Sequence, residues 1–191
     1  MMRKAIFLDR DGTINIEKHY LYKKEEFEFL PKVFESLKLL QQAGFQLIII
    51  TNQSGIGRGY YTEADFWGLT DWMLNEFLLQ DIRIARIYYC PHLPDAANVQ
   101  YRKTCNCRKP GVDLFMEAVR DFDIDLSLSY AVGDRLRDCS ICAKTACHGY
   151  LIGCTEESAK IEQVKRGEYA HIAYRDNLYE AAIDILKRQC E

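Results

Sequence analysis

Three short apolar runs in this chain each stop at polar residues. Ala5-Ile6-Phe7-Leu8 stops at Asp9, Gln46 to Ile50 at Thr51-Asn52, and Tyr130-Ala131-Val132 at Gly133-Asp134. A further run, about Ile84 to Tyr89, enters Cys90. Helical patterns lie between the runs. After Pro31, Val33, Phe34, Leu37 and Leu40 share one face, and Gly44 ends that helix. Gly55, Gly57 and Gly59 predict a loop. Thr62 and Asp65 then have the spacing of a capping box, ahead of an inward face of Phe66, Leu69, Met73 and Phe77. Leu114, Phe115, Ala118, Val119 and Phe122 predict another helix. The tail reads as two helix patterns around a strand near His171 to Ala173, with Leu178, Ala182 and Ile185 inward on the last helix. Runs that alternate with helices predict an α/β fold on a parallel sheet, expected as one domain over residues 1–191.

Composition removes several function classes. With 48% hydrophobic and 28% charged residues the chain is built like a folded globular protein. A net charge of -3 gives no footprint for nucleic acid. The longest apolar runs, such as Leu47 to Ile50, are far short of the roughly 20 residues of a membrane span. Met1-Met2-Arg3-Lys4 leads into the first strand without a signal-peptide pattern. A cytoplasmic monomer is the expectation, with neither a nucleic-acid nor a membrane partner. Seven of the eight cysteines fall in two groups and Cys190 lies in the tail, unlike a disulfide framework.

Ligands in open α/β sheets bind beyond the carboxyl ends of the strands. Asp9, Asp11, Thr51 and Asp134 would therefore share one crevice. Phosphate monoesters carry about two negative charges near neutral pH. A carboxylate that attacks one meets repulsion, so a divalent cation must bridge them; magnesium takes oxygen ligands, and one or two carboxylates suffice. Asp9 can serve as nucleophile and ligand. Asp11 can protonate the leaving oxygen and later activate water. Thr51 and Lys109 can hold the phosphoryl oxygens. Taken alone, Asp9 reads as a cap or turn residue, Thr51-Asn52 as a turn, and Lys109 as a solvated charge. Their joint occurrence in this order favours phosphate chemistry.

Asp9-x-Asp11-Gly12-Thr13, Thr51, Lys109 and Gly133-Asp134-x-x-x-Asp138 together resemble the four motifs of the haloacid dehalogenase (HAD) superfamily of phosphohydrolases. The resemblance implies a Rossmannoid three-layer sandwich and an aspartyl-phosphate on Asp9, with Asp11 as general acid and base. It implies magnesium on Asp9, the backbone carbonyl of Asp11, and Asp134, with Asp138 as support behind these ligands. Caps in this superfamily are inserted after the first motif or before the third. Asn15 to Leu30 is too short for one, so a capless enzyme is expected.

The segment from Cys90 to Pro110 has neither helix nor strand period, and long irregular insertions are usually functional. Cys90-x-His92 is followed after twelve residues by Cys105-x-Cys107. Four such ligands suit structural zinc, although neither pair has the commoner two-residue gap. The alternative is reduced thiols beside an unrelated histidine. The loop has few apolar residues to order it, which favours the metal. Arg108 and Lys109 follow directly, so zinc would fix the backbone beside the phosphate-binding lysine.

A capless HAD phosphatase with this loop is similar to the D-glycero-D-manno-heptose 1,7-bisphosphate 7-phosphatase family. Histidinol-phosphate phosphatases, which share the loop, are the near alternative. The run from Thr51 to Thr62, with Ser54 and Arg58-Gly59, favours the former. The resemblance implies substrate contacts from Glu17, Lys18, His19, Tyr20, Asn52, Gln53, Ser54, Arg108 and Arg135. Arg108 would take a second phosphate; surface salt bridges are the plainer reading of Arg108 and Arg135. The implied activity removes the 7-phosphate to leave heptose 1-phosphate for nucleotide activation. Another small phosphomonoesterase, or a zinc-loop binding module on an inactive scaffold, are the other readings. Cys139, Cys142, Cys147 and Cys154 are expected on a helix after Asp138, as buried thiols and not as a redox pair or cluster site.

Overall fold

Successive strand residues point to opposite faces of a sheet. The computed structural model, which describes residues 2–153 and 158–189, shows this in its first two strands. In β1 (Ala5–Leu8), Ile6 and Leu8 enter one core while Ala5 and Phe7 enter the other. In β2 (Gln46–Asn52), Leu47 and Ile49 join the first core and Ile48 and Ile50 the second. Strands buried on both faces need a cover on each side, and helices supply it.

The first cover holds α1 (Val33–Gln42), α3 (Glu63–Leu78) and α6 (Leu178–Arg188). The second holds α4 (Asp113–Phe122) and a 3-10 helix over Leu136–Ala143. Between them, β1 and β2 join β3 (Ile84–Cys90), β4 (Tyr130–Gly133), β5 (His148–Ile152) and β6 (Ile172–Arg175) in one parallel sheet of order β3-β2-β1-β4-β5-β6. The three-layer α/β sandwich follows the sequence expectation. The order reverses at β1, so a crevice opens beyond its carboxyl end, where Asp9 stands.

Local signals set the helices. Thr62 Oγ1 accepts from Asp65 N at 3.1 Å, and Asp65 Oδ2 accepts from Thr62 N at 2.8 Å, a closed capping box at the start of α3. Phe66, Leu69, Met73 and Phe77 are all buried on its inner face. Phe115 on α4 meets Phe7 edge to face at 5.4 Å.

Three expectations are corrected. The glycine run is not a loop: Ser54–Arg58 forms a short helix, α2, because Ile56 packs against Tyr61 and Phe66. The strand β5 stands within the segment expected to be the helix carrying the second cysteine group. The cysteines do not share a helix. Cys139 and Cys142 lie on the 3-10 helix, and Cys147 lies just before β5. Cys154 falls outside the described residues. Among those residues no helix is long and apolar enough to cross a membrane.

Phe115→Ala should cost about 3–5 kcal/mol, because it empties a packed site beneath the sheet. Thr62→Ala should cost about 1 kcal/mol, the loss of one cap. Urea unfolding of both variants checks this ranking, and equal losses would contradict the assignment of Phe115 to the core.

Candidate active site

Acidic side chains from separate segments meet at the carboxyl end of the sheet. Asp9 follows β1, while Asp134 and Asp138 follow β4. One carboxylate oxygen of each lies within 4.8 Å of the others. Two glycines allow this approach. A Cβ on Gly12, whose φ is +79°, would stand 2.5 Å from Asp134 Oδ2. A Cβ on Gly133 would stand 2.2 Å from that of Asp138.

Lys109 reaches into the same point from the cysteine loop. Its Nζ lies 2.8 Å from Asp9 Oδ1, 2.7 Å from Asp138 Oδ1 and 2.7 Å from the Ile50 carbonyl. Burial alone would lower the ammonium's pKa, but Asp138 and Asp9 together hold it above the ordinary lysine value. Burial pushes the Asp9 carboxyl up to about 6 against the pull of Lys109, with repulsion from Asp138 and Asp11 adding to it. Burial, then Asp138 and Asp9, push Asp134 up to about 7. Crowded anions with raised pKa values form a site that gains from a cation, and their oxygen donors suit a hard one.

Asp11 is held apart from this group. Its carboxylate accepts from Arg10 Nε and Nη2, from Asn15 Nδ2 at 3.0 Å and from Gln53 Nε2 at 3.1 Å. Gln53 also donates to Thr51 Oγ1 at 2.9 Å and accepts from the Tyr61 hydroxyl at 2.5 Å. Asn52 and Lys109 exchange two bonds, Asn52 Nδ2 to Lys109 O at 3.1 Å and Lys109 N to Asn52 Oδ1 at 3.0 Å. The amides of Asn52 and Gln53 therefore fix neighbouring site residues as well as facing the cavity.

That cavity, of 330 Å³, opens beside Asp11 and is lined by Glu17, His19, Tyr20, Asn52, Gln53, Ser54, Arg108 and Arg135 among the expected contacts. Lys18 is the exception. It pairs with Glu28, which draws it off the cavity wall. Arg58, Tyr61 and Arg137 line the cavity unexpectedly, and Arg10 is buried behind Asp11. Arg58 is the one charge between Asn52 and Thr62, a signal the sequence does carry. Tyr61 and Arg10 have no such mark. Arg135 Nε pairs with Asp134 at 3.2 Å, and its backbone N–H donates to Asp138 at 2.9 Å. Burial, and then the Arg137 and Arg58 charges, hold the Arg108 guanidinium below its ordinary value.

A second cluster stands on the cysteine loop. Cys107 Sγ lies 3.0 Å from Cys105 Sγ, 3.2 Å from Cys90 Sγ and 3.2 Å from His92 Nδ1. Cys90 Sγ lies 3.6 Å from both Cys105 Sγ and His92 Nδ1. A tetrahedron with metal–sulfur bonds of about 2.3 Å has edges of about 3.8 Å. The separations here are shorter than those edges, yet the four donors converge on one place, and their chemistry suits a soft or borderline cation.

The model of the polynucleotide kinase 3 phosphatase family matches residues 4–136. The D-glycero-alpha-D-manno-heptose-1,7-bisphosphate 7-phosphatase of Campylobacter jejuni is 49% identical over 138 residues, 72% of this chain and 75% of that protein. The D-glycero-beta-D-manno-heptose-1,7-bisphosphate 7-phosphatase of Haemophilus ducreyi is 45% identical over 148 residues, 76% of this chain and 80% of that one. The crystal structure of D,D-heptose 1,7-bisphosphate phosphatase from B. bronchiseptica, a complex with magnesium and phosphate, superposes with a TM-score of 0.83 at 30% identity, covering 97% of this chain and 99% of that one. Similarity at this level over most of both chains is similarity of family, and the chain belongs to the D-glycero-D-manno-heptose-1,7-bisphosphate 7-phosphatases, HAD-like phosphatases.

Proposed function

We propose that this chain hydrolyses the 7-phosphate of D-glycero-D-manno-heptose 1,7-bisphosphate, leaving heptose 1-phosphate for nucleotide activation. The observation that carries the reading is the ion pair of Lys109 with Asp9, 2.8 Å long, inside a group of three carboxylates, two residues from the Asp11 that lines an arginine-rich cavity. The names of the relatives supply the sugar.

Asp9 attacks phosphorus, and the bond to the sugar oxygen breaks as the bond to the carboxylate forms. Asp11, at the cavity wall, gives its proton to the departing oxygen. It then takes a proton from the water that attacks the aspartyl-phosphate, and Asp9 is regenerated as phosphate leaves. Lys109 and Thr51 neutralise and orient the phosphoryl oxygens, where charge builds in the transition state. Arg10, Asn15 and Gln53 keep the Asp11 carboxylate in place between the two steps. Magnesium fits Asp9 and Asp134, with the Asp11 backbone carbonyl, and when bound would offset the repulsion between carboxylate and phosphate dianion. Zinc fits Cys90, His92, Cys105 and Cys107 in a structural role, since protein fills all four positions.

Asp11→Asn should lower kcat on the bisphosphate by about 10²–10⁴, and Asp9→Asn should abolish both turnover and the trapped phosphoenzyme. In the unaltered enzyme kcat/KM for the bisphosphate should exceed that for histidinol phosphate, and the reverse order would move the chain to the alternative substrate.

Metal binding needs ionised carboxylates, and the Asp9 and Asp134 values of about 6 and about 7 lie near neutrality. Magnesium affinity measured by calorimetry should therefore fall as pH drops from 8 to 5.5. An affinity constant across that range would contradict these ligands.

Cys107→Ser should release zinc and lower kcat by displacing Lys109, while magnesium still binds. Full activity in the zinc-free variant, with metal content measured on the same sample, would remove the positioning role of the loop.

A further inference from the structure

The cavity beside Asp11 holds more positive charge than a single phosphate transfer requires. Arg58, Arg108, Arg135 and Arg137 all line it. Arg135 has Asp134 as its partner at 3.2 Å. No carboxylate among the described residues pairs with the other three. The acids of the wall are engaged elsewhere: Asp11 by Arg10, Asn15 and Gln53, and Glu17 by the His19 N–H at 2.6 Å. Arg58 Nε and Arg108 Nη1 are buried with no hydrogen-bond acceptor. Buried donors left unpaired are costly, so these two take an acceptor from outside the protein, and an anionic ligand oxygen is one that suits a guanidinium.

The three guanidinium groups arrive from three segments. Arg58 ends α2, Arg108 follows the cysteine cluster, and Arg137 stands on the 3-10 helix after β4. They face one space despite mutual repulsion. Guanidinium forks bind phosphate oxygens bidentately, so a phosphate is the anion that this set fits best. It is not the phosphate in transfer, because that group belongs at Asp9 and Lys109, which are buried and do not line the cavity. Arg137 is exposed at the mouth, which places its anion on the solvent side. A volume of 330 Å³ leaves room for a sugar between the two ends.

We propose that Arg58 and Arg137 join Arg108 in a second phosphate subsite, which holds the phosphate retained on the product and sets the preference for a bisphosphate over a monophosphate. The proposal rests on the phosphatase reading of the site.

The test compares Arg58→Gln, Arg137→Gln and the double variant on heptose 1,7-bisphosphate and on heptose 7-phosphate. Each single change should raise KM for the bisphosphate about tenfold, as the loss of one charged hydrogen bond does. The double variant should raise it more, with kcat within about twofold and KM for the monophosphate little changed. Arg137→Lys, which keeps the charge, should recover part of the loss. Persistent monophosphate turnover in the same samples shows that the fold and the catalytic centre are intact. Equal factors on both substrates, or no change on either, would overturn the subsite. A binding arm is independent of turnover: heptose 1-phosphate titrated by calorimetry should bind the double variant at least about tenfold more weakly than the unaltered protein. Unchanged binding overturns the subsite even if catalysis proceeds. Weakened binding by a protein that hydrolyses neither substrate supports the subsite and rejects the phosphatase reading alone.

Discussion

The site depends on like charges held closer together than they would choose. Asp9, Asp134 and Asp138 bring carboxylate oxygens within 4.8 Å of one another in a place largely closed to water. Buried anions normally take up protons or find partners. Here the partner is Lys109, 2.8 Å from Asp9 and 2.7 Å from Asp138. One ammonium cannot balance three carboxylates, and burial first, with their mutual repulsion added to it, raises the pKa values of Asp9 and Asp134. A divalent cation would remove the imbalance. The same crowding that strains the protein alone prepares it for a metal and a phosphate together, whose charges nearly cancel.

Such a group must be assembled from rigid parts, and the connections show how. The lysine comes from an irregular loop, yet its backbone is clamped to the end of β2 by the two bonds with Asn52. The loop begins where β3 ends, and the Cys90 carbonyl accepts from Gln53 N at 2.8 Å. Gln53 in turn touches Thr51 and Asp11. The cysteine cluster, the phosphate-binding end of β2 and the acid-base residue are therefore one hydrogen-bonded unit.

Much of this was legible in the sequence, and the reason is topological. Asp9, Thr51 and Asp134 each end an apolar run, and parallel strands bring their carboxyl ends to one side, so their meeting follows from strand order alone. Cys90, His92, Cys105 and Cys107 were legible from spacing. Residues whose importance comes from tertiary contacts were not. Tyr61 matters through Gln53, and Arg10 through its fork on Asp11 and its bond to the Leu21 carbonyl at 3.1 Å. Neither contact has a sequence period. Lys18 stands beside cavity residues in sequence but does not line the cavity, and its ammonium pairs with Glu28. The helix α2 was hidden because glycine propensity argues against it, while Ile56 packing overrides that preference.

The second cysteine group follows from the same packing logic. A Cβ on Gly149 in β5 would meet Cys139 Cβ at 3.0 Å and Cys142 Sγ at 2.9 Å, so the 3-10 helix lies against the strand with no room for branched side chains. Cys139, Cys142 and Cys147 are buried. Cys139 and Cys147 point their thiols toward the carbonyls of Ala131, at 3.6 Å, and Ser129, at 3.3 Å. Burial pushes the Cys139 thiol well above its ordinary value, so it stays protonated and unreactive. These residues fill a tight interface behind Asp138. By keeping the 3-10 helix close to the sheet, they hold the Asp138 carboxylate within reach of Lys109, which links a small-residue packing choice to the charge balance of the site.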